Sequence, residues 1–269
     1  MLQLSLEHLF KCPEAKDAKV VVYADNHPHW PTHPDIFAVA RRFPVKLVKR
    51  EADAGFYAIR NKLEALRDAY NDGADLIYDI EEDVLVGQDL FRWHRAIFAQ
   101  EPDIFASIGR KRAAAHFPNP KPEDYELVRG FNCGGSAFPR RSIPLLLDHA
   151  TRKYYDSPYD YLAEAFPEFV PGMGKSNSGY DGMVLRVILR QGSYCAWPVI
   201  SRAQHIGIYG MHRRYWELRG DMSTEHMLVI LRERIRDELW MCQHFKDCEV
   251  FDLEDKVWDK PVRIATDAP

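Results

Sequence analysis

Residues 75–91, DLIYDIEEDVLVGQDLF, decide how this chain is read. An apolar run ending at Ile80 is followed by three adjacent carboxylates, Glu81, Glu82 and Asp83, and then by apolar residues again. Crowded like charges repel, so the cluster is costly unless a cation or a ligand's hydrogen-bond donors use it. The apolar flanks predict a buried strand that carries the acids at its carboxyl end, then a loop and a helix starting near Gln88-Asp89-Leu90. Because side chains alternate along a strand, this reading puts Glu81 and Asp83 on one face and Glu82 on the other.

Toward the N-terminus the pattern alternates. SLEHLFK at 4–10 reads as a helix end, AKVVVYAD at 18–25 as a strand closing on Asp25, DIFAVARRF as a helix and VKLVKR at 45–50 as a second strand. Ile59, Leu63, Leu66 and Tyr70 recur at helical spacing, so GFYAIRNKLEALRDAY is an amphipathic helix stopped near Asp72-Gly73. Strand and helix therefore alternate over the first 110 residues. That predicts an α/β fold with a mostly parallel mixed sheet flanked by helices, whose ligands bind beyond the carboxyl ends of the strands.

Toward the C-terminus the alternation loosens. DIFASIG at 103–109 reads as a strand, FNCGGSAFPRRSIPLLLDHA as a glycine turn, a strand and a helix capped by Ser142, and YDGMVLRVILRQG as a helix closed by Gly192. STEHMLVILRERIRDELWMCQHF, from Ser223, predicts a long C-terminal helix. The expected organisation is a catalytic domain over 1–220, with halves 1–110 and 111–220, a helical extension over 221–258 and a disordered tail over 259–269.

Bulk properties narrow the function. A chain of 269 residues, 46% hydrophobic and 12% aromatic, has ample material for a core. No apolar run is long enough to span a bilayer. Five scattered cysteines without a C-x-x-C pair suit reduced thiols, and with no visible signal segment they predict a cytoplasmic protein. A net charge of −4 argues against nonspecific polyanion binding. Two local basic spots, Arg110-Lys111-Arg112 and His212-Arg213-Arg214, still indicate a local anion contact.

A strand ending in Glu-Glu-Asp-Val suits Mg²⁺ or Mn²⁺ bridging a diphosphate, because such ions take hard oxygens and leave several positions to phosphate and water. At this point the chain resembles the GT-A glycosyltransferases, which use nucleotide sugars and an acidic metal motif. Within them it is similar to the branch of the N-acetylglucosaminyltransferase that initiates complex N-glycans, whose motif is Glu-Asp-Asp before a hydrophobic residue, here Glu81-Glu82-Asp83. The resemblance implies that Asp83 ligates the metal and that Glu81 and Glu82 face the ribose and base of the donor. It places Asp25 at the nucleobase and Arg60, in FYAIRNKLEAL, at the sugar nucleotide. In FNCGGSAFPRR, Gly134 and Gly135 would let substrate approach the backbone. In SGYDGMVLRVILRQGSYCAWPVISRAQHIGIYG it makes Asp181 the base that deprotonates the acceptor hydroxyl, and His205 a second metal ligand with His212 as a weaker rival. The nearest pattern has two acids at the first of these positions, whereas this chain has Asp181-Gly182. A carboxylate at a helix start is held by exposed amides that also lower its pKa, so Asp181 is expected to act by position more than by basicity.

In the resembled family a central strand precedes the helix that LQLSLEHLF matches, and that strand has no counterpart in this sequence. Its absence would leave unpaired backbone and an open pocket wall, unless the natural chain is longer or another segment takes its place. The expected activity is transfer of a hexosyl or N-acetylhexosaminyl group from a nucleoside diphosphate sugar, UDP favoured, to an acceptor hydroxyl with inversion, dependent on Mn²⁺ or Mg²⁺. Nucleotidyl transfer on the same fold and a non-catalytic sugar-nucleotide or glycan-binding module are the alternatives. Six tryptophans and thirteen tyrosines leave glycan, lipid-linked, protein and modified-nucleobase acceptors all open.

Overall fold

The computed structural model describes residues 1–25, 34–50, 57–112, 117, 119–170, 179–205 and 258–264. Its elements run α1 (Leu2–Leu9), β1 (Val21–Ala24), α2 (Pro34–Ala40), β2 (Lys46–Lys49), α3 (Tyr57–Asn71), β3 (Leu76–Asp79), β4 (Val84–Val86) and α4 (Leu90–Gln100). There follow β5 (Ala106–Ser107), β6 (Asp124–Val128), β7 (Ser136–Pro139), α5 (Ile143–Leu147), α6 (Arg152–Asp156), α7 (Pro158–Ala165), α8 (Tyr180–Arg190), β8 (Cys195–Pro198), β9 (Ala203–His205) and β10 (Val262–Arg263). The α/β class read from the alternation holds, with a mixed sheet between helices.

The central sheet has six strands in the order β10-β6-β8-β5-β7-β3. β5 and β8 run parallel, as do β6 and β10, whereas β7 is antiparallel to both β5 and β3 and β6 is antiparallel to β8. One face is covered by Ile59, Leu63 and Leu66 of α3 and by Met183, Val184 and Val187 of α8, which pack with Ile77, Phe105 and Phe138 in one apolar cluster. The predicted stripe of α3 is thus the core face, and Gly73 after it takes φ 85°, the left-handed conformation that ends the helix. Ser142 departs from its expected capping role: its hydroxyl donates to the Phe105 carbonyl at 2.7 Å, tying α5 to the sheet.

β1 and β2 form a separate two-stranded parallel sheet. Val20 and Ala24 give their carbonyls to the β2 side, so Val21 and Tyr23 point their backbone groups the other way. Asp75 likewise accepts from Arg140 on the β7 side, which turns Leu76 and Tyr78 of β3 outward. α3 bridges the two units, Asn61 donating to the Tyr23 carbonyl at 3.1 Å and Lys62 reaching Asp79 at 3.1 Å. Both strands therefore bring their carboxyl ends to the start of the same helix. Among the described residues, no strand pairs with the second edge of β1 or of β3.

The long helix expected from Ser223 lies outside the described residues. Within 259–269, Val262 and Arg263 pair with Asp124 and Tyr125 of β6, and just before that segment Trp258 donates to Asp89 Oδ2 at 2.8 Å. Aperiodicity suggested a tail, but the edge of β6 and one half-buried indole dock this segment. The same Asp89 oxygen accepts from Arg202 Nε at 3.1 Å, and both side chains of that pair are fully buried. The Arg202 guanidinium stacks 3.7 Å from the Trp93 ring centroid and donates to the Ile200 and Pro122 carbonyls. Burial pushes the Arg202 pKa down to about 10, with Asp89 acting to hold the charge.

Breaking a buried pair by removing one partner strands the other charge, at a cost of about 3–5 kcal/mol. Asp89→Ala should therefore lower unfolding free energy by that order in urea titrations, and it should also expose Trp258, visible as a red shift in native fluorescence.

Candidate active site

β3 ends at Asp79, and the acids that follow lie on a turn, closed by the Val84 N–H donating to the Glu81 carbonyl at 3.1 Å. Buried Ser5 of α1 holds that turn, its hydroxyl donating to the Val84 carbonyl at 2.9 Å. A turn does not alternate as a strand does, so the expected pairing of Glu81 with Asp83 on one face is overturned. Glu81 faces α3 and the β6–β7 loop, Asp83 faces β9, and Glu82 is exposed.

β9 runs antiparallel to β4 and sets His205 opposite Val84. His205 Nε2 then lies 3.0 Å from Asp83 Oδ2. The Asp83 hydrogen bond raises the His205 pKa against the opposing effect of burial. Burial pushes the Asp83 carboxyl up, but the hydrogen bond and charge of His205 outweigh it and hold the group below its ordinary value. Among the described residues no group of three His, Cys, Asp or Glu side chains is arranged to hold a metal. The Asp83–His205 pair nonetheless fits Mn²⁺ or Mg²⁺ bound through few protein ligands, one oxygen and one imidazole, with the other positions left to ligand oxygens and water.

The centre of the acidic array is Lys62, a residue the sequence reading passed over in favour of Arg60. Its ammonium lies 3.1 Å from Asp79 Oδ2 and 3.1 Å from Glu81 Oε1, and 4.8 Å from the ring centroid of Tyr180. Burial acts against this charge, yet Asp79, Cys133 and Glu81 together keep the Lys62 pKa well above its usual value. A signal was present: Lys62 follows Ile59 by three and precedes Leu66 by four, so a lysine stands on the apolar stripe of an amphipathic helix. The charge of Arg60 acts on the Tyr155 hydroxyl of α6 together with those of Glu64 and Arg67.

Cys133, in the β6–β7 loop, donates its thiol to Glu81 Oε2 at 3.1 Å. Asp181, in the first turn of α8, adjoins the same thiol, and its Oδ1 is buried with no hydrogen-bond partner. Burial raises the Asp181 pKa, with Lys62 and the Cys133 hydrogen bond opposing. The expectation of a lowered value is not met, burial being the largest influence on this carboxyl. The structure thus brings Asp79, Glu81, Asp181, Cys133 and Lys62 together, with Asp83 and His205 on the other side of the turn. Asp25 follows β1 at its carboxyl end. His212, the weaker rival of His205, lies outside the described residues.

Gly134 and Gly135 are closely packed. Gly135 takes φ 65°, and a Cβ there would come within 2.9 Å of the Ala203 Cβ. At Gly134 it would meet Asn132 Oδ1 at 2.8 Å and Arg110 Cδ at 3.3 Å. The Gly135 carbonyl is held by His94 Nε2 at 3.1 Å, while His94 Nδ1 lies 2.8 Å from the Ser107 hydroxyl. Burial pushes the His94 pKa down to about 3, so this ring is neutral and structural.

No protein-family model matches the chain, and comparison with curated proteins gives no match. Among solved structures the chain is similar to the mannosyltransferase PcManGT from Pyrobaculum calidifontis, determined in complex with GDP-Man and Mn²⁺. The identity is 15% and the TM-score 0.47, over 94% of this chain and 66% of that one.

Two outcomes test the electrostatics. His205, raised above 6.5, contributes stability that is complete below that value and lost as pH rises through its folded pKa. Asp83, held below 3.8, contributes stability present above that value and lost as pH falls through its folded pKa. In chelator, the wild-type advantage over Asp83→Asn should be greatest between those reference values, and the NMR titration of His205 should shift to lower pH in the variant. Lys62→Met leaves several carboxylates without their cation and should cost about 3 kcal/mol or more at pH 7. Because the acids' pKa values then rise further, that deficit should shrink on acidification, as read by denaturation at pH 7 and pH 5.

Proposed function

We propose that this protein is a metal-dependent glycosyltransferase that moves a sugar from a nucleoside diphosphate sugar to an acceptor hydroxyl. The observation that carries the reading is the turn at the carboxyl end of β3. It presents Asp83 to His205 at 3.0 Å on one side, while Glu81 on the other shares Cys133 with the buried carboxylate of Asp181. Following the family resemblance, the donor is a UDP sugar carrying a hexosyl or N-acetylhexosaminyl group, and transfer inverts the anomeric centre.

Asp83 and His205 would hold Mn²⁺ or Mg²⁺, which when bound neutralises charge gathering on the departing diphosphate. Glu81 is fixed by Lys62 and Cys133 and therefore offers a preorganised acceptor oxygen toward donor hydroxyls. Asp181 takes the proton of the acceptor hydroxyl as that oxygen bonds to the anomeric carbon and the bond from that carbon to the diphosphate oxygen breaks. A raised pKa suits this work, since a carboxylate of ordinary acidity is a weak base at neutral pH.

The test combines binding and turnover over a panel of UDP and GDP sugars. Wild type should show a Mn²⁺-dependent thermal shift with one donor, abolished in Asp83→Ala. Asp181→Asn should keep donor binding and lose transfer, or donor hydrolysis, by about 10²-fold or more. Lack of any Mn²⁺-dependent donor binding would sink the reading, and binding without turnover in wild type would replace it with the non-catalytic module.

A further inference from the structure

The basic triplet Arg110-Lys111-Arg112 follows β5, and its members are not equivalent. Arg112 is used by the protein itself: its Nε lies 2.9 Å from Glu126 Oε1 and its Nη2 donates to Oε2 at 3.0 Å, compensating a carboxylate on β6 that is 1% exposed. Lys111 is fastened through its backbone, its N–H donating to the Ser201 hydroxyl at 3.3 Å. Arg110 is half-buried, and among the described residues no hydrogen bond or ion pair holds its guanidinium.

The backbone around Arg110 is fixed with little freedom. The Gly109 carbonyl accepts from the Arg202 N–H at 2.7 Å, one residue before β9 begins. A Cβ on Gly109 would fall 2.6 Å from the Gly135 carbonyl oxygen and 3.1 Å from the Ala203 Cβ, so only glycine fits between the β6–β7 loop and β9. Arg110 is thereby laid along Gly134, where the missing side chain leaves its stem room. Gly134 adjoins Gly135, where a Cβ would fall 2.9 Å from the Ala203 Cβ of β9, the strand that ends at His205. Among the described residues, then, no hydrogen bond or ion pair engages this guanidinium next to the strand that carries His205, whereas the Lys62 ammonium already serves Asp79 and Glu81.

We propose that Arg110 is a diphosphate-binding residue, its fork of N–H donors taking phosphate oxygens of the donor next to Asp83 and His205. Guanidinium suits this use because it is permanently charged and presents paired donors to a phosphate. The inference rests on the reading of the site as one for a nucleoside diphosphate sugar. It adds a group that the acidic motif does not contain, and it explains why a site so rich in carboxylates accepts an anion on that side.

The experiment measures Mn²⁺ alone, inorganic pyrophosphate with Mn²⁺, and UDP and GDP sugars with Mn²⁺, on wild type, Arg110→Ala and Arg110→Lys. Arg110→Ala should weaken pyrophosphate and the bound nucleotide sugar by about tenfold to a hundredfold, as expected for charge-assisted hydrogen bonds. Arg110→Lys should fall between. Affinity for Mn²⁺ alone should stay the same or rise, because a like charge has been removed from beside His205, whereas a structural defect would weaken both. Equal loss of Mn²⁺ and pyrophosphate would overturn the proposal, as would unchanged pyrophosphate and nucleotide-sugar affinity in Arg110→Ala. A wild type that binds neither pyrophosphate nor any nucleotide sugar would overturn this proposal and the functional reading together. Arg110-dependent pyrophosphate binding without nucleotide-sugar binding would keep the first and remove the second.

Discussion

The site depends on one ammonium. Lys62 sits among Asp79, Glu81 and the ring of Tyr180, and without it the carboxyl end of β3 would be a run of acids drawn out of water with nothing to answer them. The crowding that made residues 81–83 conspicuous is thus divided between two partners on opposite sides of one turn. Glu81 answers to Lys62 and Asp83 to His205, while Glu82 remains in solvent. Ser5 completes the arrangement by holding the turn through the Val84 carbonyl, so α1 acts on the site although it carries none of its charged groups.

Much of this was legible in the sequence and some was not, for identifiable reasons. Hydrophobic periodicity located α3, β3 and α8, because each buries a face whose pattern is local. The same periodicity concealed Lys62, since a lysine on an apolar stripe looks like an interruption until the strand end opposite it is known. The acidic triplet was correctly read as the end of a strand but given strand geometry, and one turn hydrogen bond was enough to send its members to different neighbours. The pKa of Asp181 was misjudged because local sequence shows a helix start and does not show depth. The docking of Trp258 on Asp89 joins residues 169 positions apart, which no windowed pattern can detect.

The glycines show how packing stands behind the chemistry. Gly109 and Gly135 meet across a gap that no side chain could enter, and Ala203 of β9 closes against both. His94, neutral and buried, fixes the Gly135 carbonyl from behind. These contacts set the distance between the β6–β7 loop, which carries Cys133, and β9, which carries His205. Within the protein the neighbours of Gly134 and Gly135 are Arg110, Asn132 and Ala203.

The divided sheet has a consequence for how the molecule behaves in a crowd of its own copies. The outer edge of the small sheet is guarded: Lys46 and Lys49 of β2 are exposed, and charged edge residues discourage another strand from adding there. The inner edges are not guarded in this way. Val21 and Tyr23 of β1 and Leu76 and Tyr78 of β3 carry outward backbone groups with no lysine among them, and apart from the Asn61 bond to Tyr23 the described residues supply these edges with no strand partner. Extended chain of almost any sequence can satisfy such an edge, since backbone hydrogen bonds do not read side chains. Strand addition at those edges would bring a second chain to the carboxyl ends of β1 and β3, where Asp25, Asp79 and the acidic turn lie, so self-association there would also obstruct the candidate site.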